Sequence, residues 1–259
     1  MRDFYAPSMP APLDQADGLR RLFAGQRQRF LALAANPHVA DAGMLLDRVA
    51  AALSARGQRV LVVDAADRSP LPHEMALLDL GSCIETLSPQ VGYLAARGLP
   101  LAHVDTRGSS AGFLDALSQA APKADVVIVH ANVTDLARLF MRRAVRPILM
   151  GADDAESVKH AYAACKLLVQ RCGLMTFDLL LAANPGSRRA PSIAANLAGC
   201  ADGFLGAVLH DWALVDPDAT PRAGVDAAHD RLLAAELSLC DEGGPAARAA
   251  PARPALHVN

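Results

Sequence analysis

Short, continuous apolar runs separated by segments of helical periodicity are the feature that most constrains the fold of this chain. The runs lie at residues 29–34, 59–64, 125–129, 147–150, 178–182 and 205–209. A strand that is apolar at successive positions is buried on both faces, as is typical of parallel sheets covered by helices on each side. The sequence therefore predicts an α/β fold with three α/β/α layers around a mostly parallel sheet.

The segments between these runs have the spacing of amphipathic helices. Helices are expected at residues 43–55, 154–172, 191–203 and 226–240. Prolines interrupt residues 65–122, so we expect short helices there and one strand at residues 101–105. The helix at 226–240 has an acidic polar face, which disfavours contact with anionic lipid and favours packing against the domain.

Composition narrows the class of protein. The chain has 259 residues, of which 52% are hydrophobic, enough for one large domain with a substantial core. A net charge of −2 provides no overall basic field for nucleic acid. The five cysteines include no C-x-x-C pair, and no apolar run is long enough to span a membrane. We therefore expect a cytoplasmic protein without a metal site and without direct contact to nucleic acid.

Three regions follow from the distribution of prolines and apolar residues. Residues 1–25 are expected to be a flexible N-terminus that carries one amphipathic helix, because apolar residues at 13, 16, 19, 22 and 23 share a helical face. Residues 26–242 form the α/β domain. Residues 243–259, rich in Ala and Pro, are expected to be a disordered tail.

Distinctive segments lie at residues 14–20, 49–64, 156–168 and 204–211. In this order they resemble motifs of the FlhG/FleN flagellar-number regulators of the MinD/ParA P-loop family. Residues 14–20 read D-Q-A-D-G-L-R and resemble the family's N-terminal DQAxxLR motif. Residues 49–64 resemble its first helix and second strand, and residues 156–168 resemble its T-S-x-x-x-A-Y…K-L-L helix. Residues 204–211 are similar to its F/Y-L-G-x-I-P-x-D strand end. The resemblance implies a P-loop fold of the MinD/ParA type over roughly residues 13–215.

The resemblance also locates the family's nucleotide loop, which reads K-G-G-V-G-K-T and cradles phosphates with backbone N–H groups and lysine. In this register the loop is replaced by Pro37, His38, Val39, Ala40, Asp41, Ala42 and Gly43. Pro37 and Ala42 stand where the family has its two lysines, and Gly43 stands where it has threonine. Residues 29–55 contain no lysine, so the nearest cations are Arg29 and Arg48.

The loop also lacks the backbone freedom and charge that bound phosphate needs. Proline has no N–H group, and β-branched Val39 tolerates a positive φ poorly. The Asp41 carboxylate would repel a phosphate about 4 Å away by roughly 1 to 4 kcal/mol.

Two further positions depart from the family pattern. The family's D-A-D after the second strand reads Asp64-Ala65-Ala66, so Ala66 replaces a carboxylate. His130 stands where the family has an aspartate after a later strand. We interpret Asp64, Ala66 and His130 as the remnant of a catalytic site and predict a pseudo-ATPase without a cofactor. Acid–base chemistry by His130 beside Asn132 is the alternative interpretation.

The resemblance implies a partner. In the family the N-terminal motif engages the signal-recognition-type GTPase FlhF and stimulates its GTP hydrolysis. By this likeness Gln15 acts beside the partner's nucleotide, Arg20 makes polar contacts and Leu19 anchors the helix, with Asp14 and Ala16 completing the motif.

The leading hypothesis is therefore a non-catalytic regulator of flagellar placement or number, which contacts a FlhF-type GTPase and other flagellar assembly or regulatory proteins. Two alternatives stay open. One is a divergent ATPase that binds ATP and magnesium and dimerises. The other is a MinD-like accessory protein of a different pathway, such as cellulose secretion.

Overall fold

The computed structural model describes residues 28–141, 143–219 and 227–242. The predicted N-terminal helix, with Asp14, Gln15, Ala16, Leu19 and Arg20, and the predicted disordered tail at 243–259 lie outside these residues. The regions predicted at 1–25 and 243–259 therefore stay predictions.

The six strands predicted from the apolar runs and two further strands, β3 (Glu85–Ser88) and β4 (Val91–Ala95), form one continuous sheet. Their bounds are β1 (Arg29–Ala34), β2 (Val60–Ala65), β3 (Glu85–Ser88), β4 (Val91–Ala95), β5 (Val126–Ala131), β6 (Ile148–Ala152), β7 (Thr176–Ala182) and β8 (Val208–Val215). The order across the sheet is β3-β4-β2-β5-β1-β6-β7-β8. All neighbouring strands are parallel except β3 and β4, which are antiparallel. The predicted mostly parallel sheet is confirmed.

Helices cover both faces of this sheet. Their bounds are α1 (Ala42–Ala55), α2 (Leu99–Ala102), α3 (Ala111–Ala120), α4 (Val133–Leu139), α5 (Ala155–Cys172), α6 (Ala190–Leu205) and α7 (Ala227–Glu242), with short 3-10 turns at Glu74–Leu77 and Gly81–Cys83. No helix among the described residues is both long and apolar enough to cross a membrane.

Each face of the sheet has its own apolar core. On one face, Leu33 and Ile128 pack with residues of α1 and α7. On the other face, Val127 and Val129 pack with residues of α3, α4, α5 and α6. Successive residues of β5 thus enter opposite cores, because strand side chains alternate between faces. This explains why the central strands are apolar at every position, and the three-layer α/β/α prediction is confirmed.

The helix ends agree with local sequence signals. The Asp154 carboxylate accepts a hydrogen bond from the Ser157 N–H at 2.8 Å, which caps the N-terminus of α5. Gly173 ends the same helix with a φ of 65°, a left-handed conformation that favours glycine. These caps set the direction in which α5 leaves the carboxyl end of β6.

Two sequence-predicted strands are wrong in position. Residues 101–105 do not form a strand, because Leu101 belongs to α2 and the Asp105 carboxylate instead accepts bonds from the N–H groups of Arg107 and Ser109. The strand predicted at 205–209 begins only at Val208, because α6 continues through Leu205. Apolar composition alone does not separate the last turn of a helix from the first residues of a strand.

The predicted packing of the last helix against the domain is confirmed. Leu232 and Leu233 of α7 are fully buried in the same core as α1. Glu236 also faces inward, where its carboxylate lies 3.2 Å from the Arg146 guanidinium. The same guanidinium lies 3.4 Å from the carboxylate of Asp178 in β7. The acidic helix is therefore held by apolar contacts together with a buried group of charges.

Candidate functional site

The carboxyl ends of the central parallel strands bring the predicted nucleotide loop and the predicted remnant residues to one edge of the sheet. In the strand register, Asp64 of β2 lies beside His130 of β5, and Ala34 of β1 lies beside Ala131. The loop of residues 35–41 leaves β1 at this edge and leads into α1. Crevices at this edge, where neighbouring strands connect to opposite sides, are the usual ligand sites of open α/β sheets.

Asn36 holds the start of the loop in place. Its side chain is 3% exposed, and its amide group donates to the carbonyl oxygens of Met150 at 2.8 Å and Ser157 at 2.9 Å. Its side-chain oxygen accepts from the His38 N–H at 3.0 Å. A single buried side chain therefore ties the loop to β6 and α5.

The middle of the loop is closed by contacts within the protein. The Val39 N–H donates to the Asn36 carbonyl oxygen at 3.0 Å, and the Val39 side chain is 3% exposed in the core beneath α1. Pro37 has no N–H, and the His38 N–H is already bonded to Asn36. The first three residues of the predicted loop therefore have no N–H group left for a phosphate.

The end of the loop leads directly into a helix. Asp41 is exposed at the N-cap of α1, and its side chain makes no capping hydrogen bond. Ala42 and Gly43 already belong to the first turn of α1. Among the described residues, positive φ occurs at five glycines, and none of them lies between residues 37 and 43. The loop therefore contains none of the left-handed backbone that glycines allow in phosphate-binding loops.

A cation approaches this loop, but it is not one of the two that the sequence suggested. Arg29 lies at the opposite end of β1 and donates to the Gln58 side chain at 3.2 Å, and Arg48 donates to the Ala219 carbonyl oxygen. The guanidinium of Arg68 instead donates to the Pro37 carbonyl oxygen at 2.6 Å. Arg68 could have been found in the sequence, because it lies four residues after Asp64 in the loop that follows β2.

Asp64 is the centre of a buried polar cluster beside the loop. Its carboxylate lies 2.7 Å from His130 Nδ1 and accepts hydrogen bonds from the hydroxyls of Ser69 and Tyr93. Burial favours the neutral acid, but the hydrogen bonds from these three groups outweigh it and hold the pKa of Asp64 below its ordinary value of 3.8. Burial, and then the negative charge of Asp64, raise the pKa of Tyr93.

His130 donates a hydrogen bond to Asp64. The ring is 3% exposed, and because a carboxylate only accepts, Nδ1 is the donor in the bond between them. Its other nitrogen, Nε2, is buried and has no hydrogen-bond partner among the described residues. Ser69 and Tyr93 were missed in the sequence, since neither follows a recognisable motif.

Ala66 and Asn132 are the other two residues considered at this edge, and their contacts are those of structural side chains. Ala66 is 5% exposed, so an apolar side chain fills the position where the family has a carboxylate. Asn132 caps α4 by accepting from the Asp135 N–H at 2.9 Å, and its amide donates to Asp67 and Asp135. Asn132 therefore orients a helix and two carboxylates, rather than pairing with His130.

Two histidine side chains also lie close together at the loop. The rings of His38 and His160 lie 5.9 Å apart in an edge-to-face arrangement. Burial and then the nearby His38 lower the pKa of His160 below 6.5. Within the part of the chain that the structure describes, no three His, Cys, Asp or Glu side chains converge as metal ligands would.

Comparison with known proteins gives a result for structure only. No protein-family model matches the sequence, and no curated protein sequence matches it. Cobyrinic acid a,c-diamide synthase from Mycobacterium smegmatis has a similar fold, with a TM-score of 0.57 and 18% identity over 84% of this chain and 96% of that chain.

Two further solved structures are similar. The MinD cell division protein of Aquifex aeolicus has a TM-score of 0.52 and 11% identity over 80% of this chain and 98% of that one. A putative plasmid partition protein from Borrelia burgdorferi B31, bound to AMPPNP, has a TM-score of 0.54 and 10% identity over 83% and 97%. Together with the sheet order and the two helical layers, these likenesses show that the chain has the MinD/ParA-type P-loop α/β fold.

Proposed function

We propose that this chain is a regulator of MinD-like fold that does not hydrolyse ATP and acts by contact with a partner protein. The proposed lack of ATP hydrolysis rests on the closed loop after β1. Pro37 has no N–H, the N–H groups of His38 and Val39 are bonded to Asn36, and the Val39 side chain is buried in the core. Nucleotide binding at this place requires that these contacts break.

The second half of the proposal rests on the N-terminal segment. Residues 14–20 resemble the motif through which FlhG-type regulators stimulate a FlhF-type GTPase. A domain that does not turn over nucleotide can still present such a segment. We therefore propose a role in the placement or number of flagella, with Gln15 beside the partner's nucleotide and Leu19 as the apolar anchor.

The test is the GTP hydrolysis rate of a FlhF-type GTPase with and without the full chain. The proposal expects stimulation, which Gln15→Ala and Leu19→Ala reduce and which Gln26→Ala, a matched change outside the motif, leaves intact. An unchanged GTPase rate at saturating regulator contradicts the partner assignment. It leaves the proposed lack of ATP hydrolysis untouched, since that is measured separately as phosphate release by this chain alone.

Arg68 favours one alternative function, a divergent ATPase. Its guanidinium lies at the loop, 2.6 Å from the Pro37 carbonyl oxygen, and an arginine can contact phosphate oxygens when a lysine is absent. The similar plasmid partition protein from Borrelia burgdorferi was solved with AMPPNP. Calorimetry with Mg·ATP separates the two functions. Micromolar binding that Arg68→Ala abolishes, and that Arg188→Ala preserves, supports the ATPase; a flat titration supports the regulator.

A further inference from the structure

A groove with both apolar and polar lining residues lies on the helical layer that contains α3. It has a volume of about 350 Å³, and its walls come from the 3-10 turns at residues 74–83 and from the last turn of α3. Leu77 and Leu78 line it with 65% and 82% of their surface exposed, and Ala116 and Ala120 line the opposite wall. Large exposed apolar side chains that are grouped around a concavity indicate a contact surface.

Acidic groups lie close to the two exposed leucines. Asp79 lines the groove itself, and Glu74 lies one helical turn before Leu77 and Leu78. Asp79 accepts a hydrogen bond from the Ser82 N–H at 3.2 Å, and within the described ranges neither carboxylate has a cationic partner. The groove therefore suits an occupant with an apolar stripe and nearby positive charge.

The described part of the chain begins beside this groove. The side-chain amide of Gln28 donates to the carbonyl oxygens of Ala121 at 2.9 Å and Ala124 at 3.2 Å. Ala121 directly follows Ala120, which lines the groove. Whatever precedes Gln28 in the chain is therefore tethered at the end of the groove.

The segment at residues 13–23 has the properties that the groove requires. It carries the apolar stripe described above, with Arg20 and Arg21 near its C-terminal end. Four residues, 24–27, separate it from Gln28, so its end lies within about 17 Å of Gln28 even when the link is fully extended. A tether this short gives an effective concentration of roughly millimolar, which favours this segment over a free competitor.

We propose that residues 13–23 dock in the groove of their own chain, with the apolar stripe on Leu77 and Leu78 and with Arg20 and Arg21 beside Glu74 and Asp79. This inference does not depend on the proposed partner. If the proposed function also holds, docking withholds Leu19 from the GTPase, and release from the groove becomes the step that regulates stimulation.

The test is amide hydrogen exchange of the full chain, read by mass spectrometry without any partner. Leu78→Asp is expected to accelerate exchange across residues 13–23 by about tenfold or more, as the loss of one buried leucine contact implies. Leu19→Asp is expected to accelerate exchange at residues 76–81 and at the end of α3. Leu77→Asp provides a second groove variant, and both leucines are exposed enough that the fold survives the change.

The matched control is Phe204→Asp, because Phe204 is 78% exposed on α6, which connects β7 to β8 at the end of the sheet away from β3 and β4. It is expected to change exchange in neither region. Wild-type exchange at residues 13–23 in both groove variants overturns the proposal, as does equal acceleration by Phe204→Asp. If the protection of residues 13–23 from exchange disappears when the protein is diluted, the proposal is also overturned. The groove is then occupied by the segment of a second copy of the chain. None of these exchange measurements involves GTP hydrolysis. A result that overturns the docking proposal can therefore be distinguished from one that contradicts the proposed function.

Discussion

Val39 and Gly43 lie four residues apart in the predicted nucleotide loop, but they have opposite surroundings. Val39 is buried in the core beneath α1, whereas a Cβ atom added at Gly43 meets no atom within 4 Å. In a working phosphate loop, glycine is needed for close approach of the backbone to the ligand. Here the valine has the structural role, and the glycine adopts the ordinary conformation of a helix.

We expect Val39→Ala to lower the free energy of unfolding by about 2 kcal/mol, because two buried methyl groups are lost. Gly43→Ala is expected to raise it by about 0.5 kcal/mol, because alanine restricts the unfolded chain and favours the helix. Denaturant unfolding of both variants measures the two changes. A destabilising Gly43→Ala contradicts the view that this position has lost its loop function.

Asp64 is the most constrained charge at the candidate site. We expect Asp64→Asn to lower the free energy of unfolding by about 3 kcal/mol, because the buried carboxylate that accepts hydrogen bonds from His130, Ser69 and Tyr93 is lost. The folded-state pKa of Asp64 lies below 3.8, so its contribution is present above pH 3.8 and is lost as the pH falls through the folded-state pKa. Denaturant unfolding at neutral and acid pH tests both statements.

The neighbouring Asp67 provides the control for Asp64. Asp67 is exposed, and among the described residues its carboxylate accepts one hydrogen bond, from the Asn132 amide at 3.1 Å. Asp67→Asn is expected to change stability by no more than about 0.5 kcal/mol. Equal losses in the two variants contradict the special role assigned to Asp64.

At the scale of elements, the attachment of α7 is expected to depend on pH. Its Glu236 is 2% exposed and lies against Arg146 and Asp178, at the amino end of β6 and β7. Burial, then the hydrogen bond and negative charge of Asp178, raise the pKa of Glu236 from 4.5 to about 9, and Arg146 opposes the shift. His210 joins the group, because its Nδ1 lies within hydrogen-bond distance of both Arg146, at 2.9 Å, and Asp178, at 3.1 Å. At neutral pH the protonated acid is therefore the favoured form.

This raised pKa determines the sign of a pH effect. Between pH 4.5 and about 9 the folded chain retains a proton that the unfolded chain releases, so stability falls as the pH rises through this window. The slope approaches at most about 1.4 kcal/mol per pH unit from this one group. We expect Glu236→Gln to flatten the slope and to stabilise the protein at alkaline pH, as measured by denaturant unfolding across the window.

Asp230 offers a matched control on the same helix. It is paired with Arg56 at 2.8 Å, and the hydrogen bond from Arg56 lowers its pKa. Asp230→Asn should therefore leave the slope between pH 4.5 and about 9 as in the wild type. If stability still falls steeply with pH in Glu236→Gln, a group other than Glu236 causes the pH dependence.

At the scale of the whole molecule, one sheet joins two apolar cores. Leu33 and Leu117 are both fully buried, but they lie in the cores on opposite faces. Because the central strands supply side chains to both cores, the loss of either core removes support from the same strands. The described domain should therefore unfold as one unit.

Leu33→Ala and Leu117→Ala are each expected to cost about 3 kcal/mol and to lower the same transition. Fluorescence of Trp212, the single tryptophan, and far-UV circular dichroism should report coincident unfolding curves for both variants. The exposed Leu87→Ala is the control and should cost less than about 0.5 kcal/mol. Separate transitions in one variant indicate that the two layers unfold independently.

The elements that the sequence predicted well are those whose burial is continuous. β1 has the predicted bounds, and β2, β5, β6 and β7 differ by one or two residues at either end. β3 and β4 were missed because β3 is largely polar and exposed at the edge of the sheet, and the short apolar run of β4 is interrupted by Gly92 and only half-buried. The pairing of β4 with β2, and of β3 with β4, is a tertiary contact without a local signal.

The sequence by itself determined the three-layer fold, the absence of lysine from residues 37–43 and the absence of glycine from residues 37–42, because apolar periodicity and side-chain chemistry are local properties. Only the tertiary structure decided what the altered loop does. Asn36 bonds to Ser157, 121 residues away, and Arg68 reaches Pro37 across the edge of the sheet. Such contacts depend on the register of parallel strands and on the helices between them, which bring together groups that no short stretch of sequence contains.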